Sequence, residues 1–195
     1  MGDRLQQQIS FILELDQLKS VLRRSYLLDH GRLENSAEHS WHVAMLANVL
    51  AEYADEPVDI DRVTRMLLLH DIVEIDAGDT MVYDLEARKE KAAKESAAAE
   101  RIFGLLPDDQ AKSLGDLWRE YESCESPEAR FALALDRLMP ILHNLNTAGR
   151  AWRENGIRKH QVLEVNVQME KGSTRLWQYV REQIEEAVER GDLPV

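Results

Sequence analysis

The sequence predicts an all-α protein, a single helical bundle of about six to eight helices. Three observations carry that prediction. Apolar residues recur at helical spacings of three and four through most of the chain. No segment alternates convincingly at period two. Glycine is sparse, nine in 195 residues, and no glycine-rich phosphate loop is present. At roughly 150 residues per domain the length suits one domain, and a hydrophobic fraction of 44% supplies a core. No internal repeat or flexible linker divides the chain, so residues 1–195 read as one domain.

The elements follow in order. The first helix is expected over 6–26, with Ile9, Ile12, Leu13, Leu18, Val21 and Leu22 facing inward. A loop follows around Asp29, His30 and Gly31. Ser36 is placed to cap a second helix, with Glu38 and His39 in its first turn. Its apolar line runs through His42, Leu46, Val49, Leu50 and Tyr53, and His39 lies one turn before His42. Pro57 and Asp59 mark the next boundary. A third helix carries Val63, Met66, Leu67 and His70, Glu74 continues the same face, and Gly78 ends it.

The stretch 84–101 is rich in Ala, Glu and Lys and reads as a solvated helix, turning apolar near Ile102 and Leu106. Pro107 starts another helix, through Leu114, Leu117, Trp118 and Tyr121. Pro127 starts the most apolar one, FALALDRLMPILHNL. The last covers 174–189.

Whole-chain charge removes several function classes. The formal net charge is −12, which argues against a sequence-blind nucleic-acid binder and against a polybasic membrane contact. The longest apolar runs, 43–47 and 131–135, are five residues each, whereas a membrane span needs about 20. Cys124 is the only cysteine, so neither an intrachain disulfide nor a cysteine-based zinc cluster can form. With no secretory signal at its start, the chain is expected to be a soluble cytoplasmic protein.

The informative residues are polar groups on faces that periodicity buries. An unpaired buried charge costs several kcal/mol, so each needs a partner or a metal. His70-Asp71 ends the apolar run 66–69. Asp136 sits in the middle of the apolar segment 131–145, beside Arg137. His39 opens the apolar face of the second helix. Singly, each has an ordinary explanation: a hydrogen-bonded core histidine, a pair with Arg137, a capping aspartate. Together, with Glu74 and Asp79 close by, they read as one cation site. Carboxylates with imidazoles suit Mn, Fe, Co or Mg, and Zn also accepts them. His42 shares the His39 face and reads as a core or supporting residue. His143, seven residues after Asp136, lies on its side of the helix and can support it.

These residues carry a resemblance to a known family. The ordered set His39, then His70 and Asp71, then Asp136 is similar to the H…HD…D pattern of the HD-domain metal-dependent phosphohydrolases. The closest likeness is to the branch of 5′-deoxynucleotidases of the YfbR and HDDC2 type. It rests on ENSAEHSWH over 34–42, LHDIVE over 69–74 with GDT at 78–80, LWREYE over 117–122, and PEARF over 127–131 leading to LDR. The motif-bearing core spans about 10–145, with C-terminal helices over 146–195.

The resemblance implies one divalent metal held by His39, His70, Asp71 and Asp136, and hydrolysis of a phosphate monoester, in this branch a nucleoside 5′-monophosphate. It implies that Glu74 positions or activates the attacking water, that Asp79 assists in the pocket, and that Arg24 binds phosphate. The branch has a Trp after that Arg, where this chain has Ser25 and then Tyr26. The partners implied are a small phosphorylated substrate, no nucleic-acid polymer, no membrane, and a second copy in a homodimer. A pyrophosphohydrolase or phosphodiesterase on the same fold, and a non-catalytic metal- or nucleotide-binding module, are the competing readings.

The chemistry of the residues agrees. Phosphate monoesters hydrolyse extremely slowly unaided, and a divalent cation polarises the phosphoryl oxygen and acidifies water. On a continuous helix Glu74, four residues after His70, would share its face.

Overall fold

A computed structural model of the chain describes residues 3–83 and 85–195, the side chains of 85–90 excepted. Asp84, expected at the start of the charged stretch, lies outside the described residues.

The all-α expectation holds. Helices α1 (Arg4–Glu14), α2 (Ser36–Val49), α3 (Ile60–Leu69), α5 (Leu85–Phe103), α6 (Asp108–Ser123), α7 (Pro127–Asn146), α9 (Lys159–Asn166) and α10 (Thr174–Glu189) each run eight residues or more. Two short helices, α4 (Glu74–Ala77) and α8 (Arg150–Glu154), complete the α content among the described residues.

α7 is the central strut. Phe131, Ala132, Leu135 and Leu138 on it pack against Val43 and Ala47 of α2, Met66 and Leu67 of α3, and Val180 and Ile184 of α10. A second apolar cluster joins Phe11 of α1 to Ile102, Phe103 and Trp118 between α5 and α6. Ser126 caps α7 by accepting from the Ala129 N–H, and Pro127 opens it, where its missing N–H costs nothing. Pro140 inside α7 cannot donate to the carbonyl of Asp136 four residues earlier. The last helix spans the residues the periodicity marked.

The first helix departs from expectation. α1 stops at Glu14, a 3₁₀ turn follows over Leu15–Ser20, and Leu22–Tyr26 forms a strand, β1, antiparallel to β2 (Leu33–Asn35). Phe11 and Leu18 are the buried residues of the first segment, while Ile9, Ile12, Leu13 and Leu22 are exposed. The physical reason lies in Arg23. A strand places alternate side chains on opposite faces, which turns Arg23 and Ser25 inward and Leu22 and Arg24 outward.

Two helix ends are also shifted. Asn35, not Ser36, caps α2, in a reciprocal box with Glu38. α3 stops at Leu69, and Glu74 opens α4 instead of continuing the α3 face. Gly78, with φ of 74°, terminates α4 as expected, a conformation glycine adopts without penalty.

Candidate metal centre

Three elements deliver the central side chains. The Asn35–Glu38 box fixes the first turn of α2, and His39 follows within that turn, fully buried. The end of α3 presents His70 and the turn after it Asp71. The middle of α7 presents Asp136.

Nδ1 of His70 lies 2.8 Å from the carbonyl oxygen of Leu67. A carbonyl only accepts, so Nδ1 carries the proton and Nε2 faces the cluster. That Nε2 is 3.1 Å from Asp71 Oδ1 and 3.5 Å from Asp136 Oδ1, and it is buried without a hydrogen-bond partner. Nε2 of His39 lies 2.9 Å from the same Asp136 oxygen, and its Nδ1 3.3 Å from Glu34 Oε2. One ligand atom each of His39, His70 and Asp136 falls within 4.8 Å of the others. Tyr121 donates to the second Asp136 oxygen at 3.3 Å, and its ring stands edge-on to His70.

A cationic group on the other flank completes the site. Arg23 Nη1 is 2.7 Å from Asp71 Oδ2, 3.9 Å from Asp79 and 4.0 Å from Glu74, and its Nε is 3.6 Å from Glu34. Burial opposes charge on Arg23, and Asp71, Glu74, Asp136 and Asp79 outweigh that, so it stays protonated. Burial and then the charge of Asp71 push the Glu74 carboxyl up to about 8, against the pull of Arg23. Its Oε2 accepts from Ser36 Oγ at 2.6 Å. Burial raises Asp79 as well. Burial works against a charge on His70, but Asp71 and Asp136 prevail and raise it to about 9.

The donor chemistry fits a divalent ion. Five carboxylates, from Glu34, Asp71, Glu74, Asp79 and Asp136, face one guanidinium and two imidazoles, so the cluster has a deficit of positive charge. His70 Nε2 is an orphaned buried atom directed at two carboxylates, where an ion can take the place of a proton.

The structure thus brings together His39, His70, Asp71, Asp136, Glu74 and Asp79. It does not bring in Arg24, whose side chain is on the exposed face of β1; Arg23, its neighbour, occupies the cluster. Glu34, Ser36 and Tyr121 also contribute; the sequence offered Ser36 only as a helix cap and did not single out Glu34 or Tyr121 for the site. Glu34 and Ser36 flank the capping Asn35. The strand alternation that exposes Glu34 to the cluster was hidden by the brevity of β2.

Comparison with known proteins places the whole chain beside a family. A family model described as HD domain matches residues 15–177. The chain belongs to the HD domain family. Human 5′-deoxynucleotidase HDDC2 is 35% identical over 135 residues, 69% of this chain and 65% of that protein. The match therefore spans slightly less than two thirds of the human relative. A predicted metal-dependent phosphohydrolase from Magnetospirillum magnetotacticum MS-1 superposes with a TM-score of 0.94 at 53% identity, covering 98% of this chain and 96% of that one. A conserved hypothetical protein from Pyrococcus furiosus, 23% identical, shares the HD fold with a TM-score of 0.62 over 93% of this chain and 99% of its own. The resemblance to the HD-domain family read from the sequence is borne out.

Proposed function

We propose that this HD domain protein is a divalent-metal-dependent phosphohydrolase that releases phosphate from nucleoside 5′-monophosphates. The observation that carries the reading is the convergence of His39 Nε2 and His70 Nε2 on Asp136 Oδ1 in a buried, carboxylate-rich cluster. Relatives named 5′-deoxynucleotidase support the substrate class.

In this reading His39, His70, Asp71 and Asp136 hold the ion. When bound, a divalent ion supplies the positive charge that the transferring phosphoryl group requires and lowers the pKa of the attacking water. The protein's own residues do the rest. Glu74, anchored by Ser36, takes the water proton, a task suited to a carboxyl raised toward neutrality. Asp79, beside Arg23, helps hold that guanidinium in place. Arg23, rather than the Arg24 the resemblance named, meets the phosphate, because a buried planar guanidinium offers paired donors to its oxygens. Ser25, at the position where the branch has Trp, shares the inward face of β1 with Arg23.

We further propose that the whole chain acts as one catalytic unit, as a homodimer in the cytoplasm. The family match over 15–177 supports a single unit. Trp41, Met45 and Val49 form an exposed line on α2, which supports pairing with a second copy. The free thiol of Cys124 suits a reducing compartment.

Phosphate release from ribo- and deoxyribonucleoside 5′-monophosphates, measured with Mn or Co, tests the activity. Release from monophosphates is expected. No release from any of them, with the ion demonstrably bound, sinks the nucleotidase reading. Diphosphate as the product from a triphosphate moves the assignment to a pyrophosphohydrolase.

A further inference from the structure

Behind His39 lies a second polar cluster that phosphate release does not use. Glu34 comes from β2, His42 from one turn beyond His39 on α2, and His143 from two turns beyond Asp136 on α7. A carboxylate oxygen and one nitrogen of each imidazole all lie within 4.8 Å of one another. Glu34 is 1% exposed and His143 2%, and His42 is half-buried.

These groups are short of partners. Both Glu34 oxygens and His143 Nδ1 are buried without a hydrogen bond. His143 Nδ1 is 3.8 Å from Glu34 Oε2, His39 Nδ1 3.3 Å and Arg23 Nε 3.6 Å. A buried carboxylate left in that state costs several kcal/mol, and the rings of His42 and His143, 6.2 Å apart, leave room for a shared cation between their nitrogens. Burial pushes His143 below its ordinary value, so its ring is neutral and retains a lone pair.

We propose that Glu34, His42 and His143 form a second divalent-cation site, of the two-histidine, one-carboxylate kind that suits zinc. Glu34 then serves both sites. It lies 3.3 Å from His39 Nδ1, the side of that ring away from the first site, and it ligates the second ion. The competing role for Glu34, orienting His39 alone, requires nothing of His42 or His143.

The test uses full-length protein stripped by a chelator, reloaded with Zn(II) and cleared of excess. Two ions per chain are expected, and zinc-edge anomalous maps of wild-type crystals should show the second peak among Glu34, His42 and His143. His42→Gln and His143→Gln should each lower the count to one and remove only that peak. His70→Ala should remove only the other. One ion per chain in the wild type, a second peak elsewhere, or an undiminished count in both variants overturns the site. The wild-type map decides the matter even where a variant does not fold. Two peaks without phosphate release would sink the nucleotidase reading and leave this site standing.

Discussion

His39 and Asp136, 97 residues apart in sequence, meet at 2.9 Å between Nε2 and Oδ1, and that contact ties the first turn of α2 to the middle of α7. Burial works against charge on Asp136, but its hydrogen bond to His39 and the charge of nearby His70 hold it well below the usual carboxylate range. The aspartate is therefore an anion at the centre of the cluster. Asp136→Ala is expected to remove the ion that His39, His70 and Asp71 would hold, and to lower turnover by about 10²–10³-fold or more, the scale of lost transition-state charge stabilisation. Elemental analysis beside a phosphate-release assay checks both. Full ion content in this variant would remove Asp136 from the ligand set.

Arg23 and Arg24 are adjacent, yet only Arg23 enters the cluster. Arg23→Ala leaves Asp71, Glu74 and Asp79 facing one another without a counter-charge. It is expected to cost about 3 kcal/mol or more of stability and about a hundredfold in kcat/KM. Arg24→Ala, on the exposed face, should stay within about 0.5 kcal/mol and within roughly twofold in kcat/KM. Parallel thermal melts and kinetics separate the two. Equal losses in both variants would mean that the strand register described for β1 is wrong.

Much of this site was legible in the sequence because burying charge is expensive. His39, His70, Asp71 and Asp136 stood out as polar residues on apolar faces, and helical spacing alone put them there. What escaped was local backbone geometry. Arg23 and Arg24 look alike in a helix-length apolar pattern, and only the switch from 3.6-residue to two-residue periodicity at β1 decides which faces inward. The same switch explains why Leu22 is exposed. The break after Leu69 was equally hidden: Glu74 reaches the cluster from its own helix, α4, with Ser36 as its anchor. Glu34 and Tyr121 read as ordinary neighbours because their roles depend on long-range packing against α7.

Glu74 should separate binding from turnover. Glu74→Gln keeps the acceptor for Ser36 but cannot take a proton. Ion content is expected to be retained while turnover falls by about 10²–10⁴-fold, the range for general acid–base catalysis. Unchanged turnover would end the proposed role.

The same substitution carries a pH signature in protein stripped of metal. Glu74 has a folded pKa of about 8 against an ordinary value of 4.5. A carboxyl raised in this way binds its proton more tightly folded than unfolded, so its cost to stability grows as pH rises from about 4.5 to about 8 and is constant above. Glutamine removes that cost. The variant is expected to melt with the wild type at pH 4 and roughly 10 °C above it at pH 8. A difference that stays flat across this range would contradict the raised carboxyl.

The outer face of α2 makes the last prediction. Trp41 at 62% exposed, Met45 at 45% and Val49 at 66% recur every four residues, so they form one stripe along the helix, and Leu68 of the neighbouring α3 is 46% exposed. The inner face of the same helix carries His39, so a partner seated on the stripe would rest one helix diameter from the metal centre. Burying an aromatic side chain in such a contact favours association through lost apolar surface. Trp41→Glu places a charge at that position and is expected to shift the protein from dimer to monomer in light scattering while leaving its melting temperature, measured at low concentration, nearly unchanged. Loss of activity on dissociation would show that pairing holds α2, and His39 with it, in position. A wild type that is monomeric at tens of micromolar would show that the stripe does not pair copies of this chain.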